Sequence, residues 1–225
     1  MVRCLKSTLL TLMYRTMLLC CALLAAALAP AQDNWKLKSE SAGISIYMAP
    51  VPGSRVKALK VNCSFDASAS QLVAVILDLD ACSEWVYHSK SNILVKRVSP
   101  AELYYYSEVD IPWPLSNRDF IAHITVSQNK QNKIITVDAP CLPDMVPVKE
   151  NIVRITHSVG RWTITPVNQY RVNVEYILKL DPGGNVPAWL INMFATHGPM
   201  ESFKQLKQQL RKPAYRNVHL DFITD

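Results

Sequence analysis

Tyr106-Ser-Glu-Val-Asp-Ile-Pro-Trp-Pro-Leu-Ser-Asn-Arg-Asp-Phe120 is the stretch whose reading decides the fold. An alternating strand runs into a loop with prolines at 112 and 114 around Trp113. The chain then re-enters a strand through the adjacent pair Arg118 and Asp119. Pro112 and Pro114 donate no amide hydrogen and fix φ, so this loop cannot continue a β-ladder. It reads as a stiff turn between strands. It also carries a large aromatic and two charges that a turn does not require, which marks it as a candidate site.

Outward from this turn, strand signals dominate. Residues 44–48 and 55–65 read as strands separated by a turn at 50–53. Asp66-Ala-Ser68 can cap a helix whose apolar face is Leu72, Val73, Ile76 and Leu77. Ser83-Glu-Trp85 reads as a turn or short helix. Strands are expected at 91–98, 102–111, 118–127, 133–139, 151–159, 161–167 and 169–180. The last is the clearest. Val172, Val174, Tyr176, Leu178 and Leu180 share one face, and Arg171, Asn173, Glu175 and Lys179 the other. Such alternation means one buried and one wet face, as in an antiparallel sheet.

A final helix is expected over 187–211, with Pro187 in its first turn. Pro199 cannot donate to Ala195, so a kink near Gly198 is expected. The order is two strands, a helix, about seven strands and one long helix. That is an α+β layout: a curved antiparallel sheet wrapped around a C-terminal helix, with room for an internal hydrophobic tunnel.

The first 31 residues stand apart. Arg3, Lys6 and Arg15 precede or interrupt an apolar run that ends in Ala29-Pro30-Ala31, with no acidic residue. This reads as a secretory signal cleaved before Gln32, the alternative being a retained anchor. The mature domain is then 32–225, and the protein is exported, to a periplasm or beyond. Losing the three basic residues takes the formal net charge from +6 to +3. No clustered basic stripe exists, so nucleic acid is not an expected partner. Cys63, Cys82 and Cys141 have no CxxC spacing. They read either as buried small hydrophobes or as one bridged pair and a free thiol.

The motif set resembles the StAR-related lipid-transfer (START) domain of the helix-grip superfamily. The residues that carry the resemblance are Trp85, Ile111-Pro-Trp-Pro114, Arg118-Asp119-Phe120, Val153-Arg154-Ile155, Gly160-Arg-Trp162 with Pro166, and Asp181-Pro-Gly-Gly184 with Pro187-Ala-Trp189-Leu190. The resemblance implies a monomer that holds a lipid or other hydrophobic small molecule, with a loop and the C-terminal helix acting as a lid. Transient membrane contact follows from the same resemblance. The secretory signal points to an exported bacterial member. Sterol-binding relatives place a charged pair inside the tunnel. Here the inward set Phe120, Ala122, Ile124 and Val126 is apolar, so the sterol-type pair is missing.

The ligand-binding candidates are Tyr105, Trp113, Arg118, Phe120, Leu190, Met193, Phe194 and His197. Trp113 reads as a rigid lip or as a packed loop anchor. Arg118 shares strand parity with Phe120 and Ile124, so it faces inward. It serves either an anionic or carbonyl head group or a structural salt bridge to Asp119, Glu108 or another carboxylate. Tyr105 shares parity with Leu103 and Val109 and is a cavity candidate or a core aromatic. Leu190, Met193, Phe194 and His197 are expected under the lid helix, lining a cavity or forming ordinary core. No catalytic residue, metal site or cofactor is expected, since HExxH, GxSxG and phosphate-cradling motifs are all missing. A cyclase, aromatase or hydrolase using Arg118, His197 and Tyr105 is the competing reading.

Overall fold

Alternation builds the sheet. On Arg171–Asp181, Val172 and Val174 are buried while Arg171 and Asn173 are exposed, as period-two patterning requires. A computed structural model of the chain describes residues 35–51, 57–184 and 186–225. The expected secretory signal over 1–31 and part of the expected 50–53 turn lie outside the described residues.

The strands are β1 (Lys36–Ser41), β2 (Ile44–Pro50), β3 (Lys57–Phe65), β4 (Ser89–Ser99), β5 (Glu102–Val109), β6 (Arg118–Gln128), β7 (Ile135–Pro140), β8 (Val153–Arg154), β9 (His157–Asn168) and β10 (Arg171–Asp181). They form one curved sheet in the order β1-β2-β3-β10-β9-β7-β6-β5-β4. Neighbours are antiparallel except β8, which pairs parallel to β6 at Arg118↔Val153 and Asp119↔Arg154. The sheet corrects two expectations. β1 is an additional edge strand whose Lys36-Leu-Lys-Ser-Glu-Ser41 sequence is mostly exposed and carries no apolar alternation. The strands expected at 151–159 and 161–167 are replaced by the short β8 and the continuous β9. Gly160 is no break: it pairs with Leu178 and Ala139 inside the sheet.

The helices are α1 (Ala69–Leu77), α2 (Cys82–Trp85), α3 (Ala188–Asn192) and α4 (Gly198–Gln209), with a π-helical turn at Met193–His197 and a 3₁₀ turn at Pro213–Tyr215. Ser68 caps α1 by accepting from the Gln71 amide at 3.1 Å. The single long helix expected over 187–211 is thus broken. Pro199 offers no amide to the Ala195 carbonyl, and the ladder widens to a π turn just before it.

α4 closes one end of the concave face. Phe203 stacks on Phe65 at 6.2 Å and on Trp162 at 5.3 Å between ring centroids. Met200 and Leu206 are buried beside it. The chain after α4 packs back on α1. Tyr215 donates to the Asp78 carboxylate at 2.7 Å, the Ser70 amide to Asp225 at 2.7 Å, and Ile223 is buried.

Candidate ligand-binding site

Burial changes along the concave face in the same direction on several strands. On β10, Val172 and Val174 are buried but Tyr176 and Leu178 are only half-buried. On β7, Ile135 and Val137 are buried and Ala139 is not. On β6, Ala122 and Ile124 are buried and Phe120 is half-buried. On β5, Leu103 is buried, while Tyr105 and Val109 are half-buried. On each of these strands the change runs toward the same edge of the sheet, but it falls at different rows: half-buried Tyr105 opposes buried Ala122, and half-buried Val126 opposes buried Val137. Tyr176 sits between two paired strands, with Trp162 at 4.5 Å and Phe203 at 5.9 Å. Burial pushes its phenol strongly up, and the same holds for Tyr105, where Cys82, Tyr176 and Cys141 add to the effect. Both rings are half-buried on the inner side of their strands.

Gly160 lies against Tyr176 at this end. A Cβ there would stand 3.4 Å from the Tyr176 hydroxyl and 3.6 Å from its ring. These are ordinary contact distances, so a methyl group at 160 would touch Tyr176 without displacing it. Tyr105 meets Phe120 edge to face at 5.8 Å. Neither the Tyr105 nor the Tyr176 hydroxyl has a protein hydrogen-bond partner among the described residues. Cys82 lies in the same region, and burial, with Asp78 and Asp80, raises its thiol to about 12. Cys63, Cys82 and Cys141 are all free thiols.

The segment 188–197 reaches this end through aromatic contacts. Phe194 packs on Tyr87 at 5.9 Å and on His88 at 5.9 Å. The His88 ring nitrogen is hydrogen-bonded to the Asp110 carbonyl at 3.0 Å. Asp110 begins the loop that carries Trp113, and the preceding Val109 pairs with Arg118. Asn117 ties this loop down. Its Oδ1 accepts from the Ile111 amide at 3.0 Å, and its Nδ2 donates to Glu108 at 2.8 Å.

Arg118 is 5% exposed and lies on the face of Phe120 and Ile124. Its Nη1 donates to the Ser116 carbonyl at 2.5 Å, and its Nε is sealed with no acceptor. Burial lowers its affinity for the proton. The expected salt bridge to Asp119 or Glu108 is not formed, because strand alternation sends both carboxylates to the opposite face. There Asp119 takes Nε and Nη2 of Arg154 at 2.7 and 3.1 Å, and Glu108 takes Lys90 at 2.8 Å. Arg154 also holds the loop over that outer face by donating to the carbonyls of Pro143, Val146 and Pro147.

The remaining sequence candidates separate. Trp113 is 90% exposed, which rules out the packed-anchor reading. Leu190 is buried, and Met193 and Phe194 are half-buried. His197 is a correction. It is exposed, with its ring on Tyr87 at 5.4 Å, and does not sit beneath the helix. The structure adds Tyr176, Leu178, Gly160 and Tyr87 to this region. For Tyr176 and Leu178 the signal was present in the inward parity of β10.

On the other face, a shallow groove of about 430 Å³ is lined in part by Asn62, Ser64, Thr163, Thr165 and Asn173. Within it the Ser64 hydroxyl donates to Asn173 Oδ1 at 2.7 Å, and Asn62 Oδ1 is buried with no partner among the described residues. No group of three or more His, Cys, Asp or Glu among the described residues is placed to hold a metal. No helix among them is long and apolar enough to cross a membrane.

Comparison with known proteins bears on this geometry. Residues 18–216 match the START domain family. An uncharacterized protein of Pseudomonas aeruginosa is 27% identical over 180 residues, covering 80% of this chain and 88% of that one. The phosphatidylcholine transfer protein of Mus musculus is 28% identical over 181 residues, covering 77% of this chain and 82% of its own length. The crystal structure of a STAR-related lipid transfer protein fragment from Xanthomonas axonopodis superposes with a TM-score of 0.73 at 32% identity. That match covers 80% of this chain and all (100%) of the fragment.

Proposed function

This chain belongs to the START domain family, and from that premise we propose that it binds a lipid or lipid-like hydrophobic molecule at the open end of the concave face. The observation that carries the reading is the half-buried state of Tyr105, Phe120, Ala139, Tyr176 and Leu178 on the inner face of the sheet. Apolar walls of this kind stabilise a ligand by about 25 cal/mol per Å² of apolar surface removed from water. A similar protein named for phosphatidylcholine transfer and a similar structure named for lipid transfer support the same class of ligand.

The mechanism is solvent exclusion. The apolar body of the ligand fills the space between the sheet and the segment 188–197. That segment and the 110–117 loop move apart to admit it. The π turn at Met193–His197 supplies a place for such movement, since its hydrogen-bond ladder is already irregular. Binding is non-enzymatic in this reading. The protein acts as a monomer and touches membranes transiently through exposed Trp113. Residues 1–31 direct export, and 32–225 is the mature domain. N-terminal sequencing of the mature protein tests that boundary.

Native mass spectrometry of the purified full chain, followed by lipid extraction, tests the binding itself. A co-purifying or added hydrophobic ligand at one per chain is the expected result. Repeated recovery of empty protein that takes up no labelled lipid sinks the reading.

A further inference from the structure

Arg118 carries a charge for which the described residues supply no counter-ion. It is buried, it faces the inside of the sheet, and its one hydrogen bond among the described residues goes to a backbone carbonyl. A guanidinium has five N–H donors. Burying it without an opposite charge is costly unless something else compensates. The nearby acids do not provide compensation. Asp119 is held by Arg154 and Glu108 by Lys90 and Asn117, all on the far face. The alternation of β6 makes this arrangement unavoidable, since neighbouring residues point to opposite sides.

Building on the lipid-binding reading above, we infer that Arg118 anchors an anionic oxygen group, phosphate or carboxylate, carried by the bound lipid. Its position fits such a role. Arg118 follows the loop at the open end, and the next inward residue, Phe120, begins the apolar surface with Tyr105 against it. A headgroup at Arg118 thus leaves the chains to run inward along Phe120, Tyr105, Ala139 and Tyr176. A guanidinium pairs with an oxyanion through two parallel N–H bonds, an arrangement no carbonyl-only ligand matches. The unpartnered hydroxyls of Tyr105 and Tyr176 offer donors to ester carbonyls further in.

The test is a binding titration of the full chain, stripped of co-purified lipid, read by native mass spectrometry. The probes are dioleoylphosphatidylglycerol, oleate, uncharged dioleoylglycerol and inorganic phosphate. The wild type is expected to favour the two anionic lipids over dioleoylglycerol by roughly ten- to a hundredfold, the usual range for a charged hydrogen bond. Arg118→Met abolishes that preference and leaves dioleoylglycerol uptake in place. Arg118→Lys keeps part of it, because the charge remains and the fork is lost. A wild type with no anionic preference overturns the assignment, and so does an Arg118→Met protein that loses all three lipids equally. If inorganic phosphate alone binds as tightly as the anionic lipids, the site is one for free anions and the lipid assignment is wrong. If Arg118→Met does not fold, the wild-type preference and the Arg118→Lys variant decide. Uptake of no lipid at all instead overturns the lipid-binding reading on which the assignment rests.

Discussion

The two ends of the concave face are built from the same strands and differ in what covers them. At one end Phe203 of α4 fills the space between Phe65 and Trp162 and touches Tyr176 at the border with the other end, and Ile135, Ile164 and Val172 have no accessible surface. At the other end the chain offers α3 and an irregular π turn, and Tyr105, Phe120, Ala139 and Leu178 stay half-buried. Native cores pack to crystal density with few voids, so one sheet face in two states of packing reflects a division of labour. The dry end supplies the stability of the domain. The open end gives up packing that, under the proposed function, a ligand restores.

The largest expected effect tests the dry end. Phe203→Ala should cost about 3–5 kcal/mol in urea denaturation, as large-to-small changes in sealed cores do. Phe120→Ala should cost only about 1 kcal/mol in the ligand-free protein, chiefly its edge contact with Tyr105. Equal costs for the two substitutions would remove the distinction between the ends. Leu178→Trp sharpens it further. Where space is open, the larger ring should change stability by under about 1 kcal/mol and lower lipid uptake at least about tenfold. In a filled core the same swap costs about 1–3 kcal/mol. That cost, or undiminished uptake, would show that the open end is already closed.

Much of this division was out of reach of the sequence, for identifiable reasons. Strand parity located the inward faces well: it put Tyr105, Phe120 and Arg118 inside, and the structure agrees. It could not tell which end of a face is dry. That depends on where Phe203 lands, a contact made across 138 residues with Phe65. The sequence leaves Arg118 with either a ligand head group or a salt bridge to Asp119, Glu108 or a carboxylate on another strand, and no such bridge forms among the described residues. Asp119 instead found Arg154, 35 residues away, because a parallel pairing of β8 with β6 brings the two together. β1 and the packing of residues 210–225 were missed since neither carries periodic apolar residues. The kink before Pro199 was legible because it follows from a missing amide, a purely local cause.

The smallest effect concerns the rim that joins the open end to solvent. Glu108 is held below the usual carboxylate range, first by the hydrogen bond from Lys90 and also by Asn117, against the opposing effect of burial. Its pKa is therefore lower folded than unfolded. The stability it contributes is present above the unfolded value of about 4.3 and is lost as pH falls through the lower folded value. Lys90 is half-exposed, so solvent screens much of the pair. Glu108→Gln should lower the melting temperature at pH 7 by no more than about 2–4 °C and make the fall between about pH 5 and pH 3 shallower than in the wild type. Because Asn117 also fixes the Ile111 amide, the same variant should loosen the 110–117 loop and speed lipid exchange without touching the dry end. Superimposable pH profiles for variant and wild type would mean that the rim charge contributes nothing, leaving the contrast between the two ends to apolar packing alone.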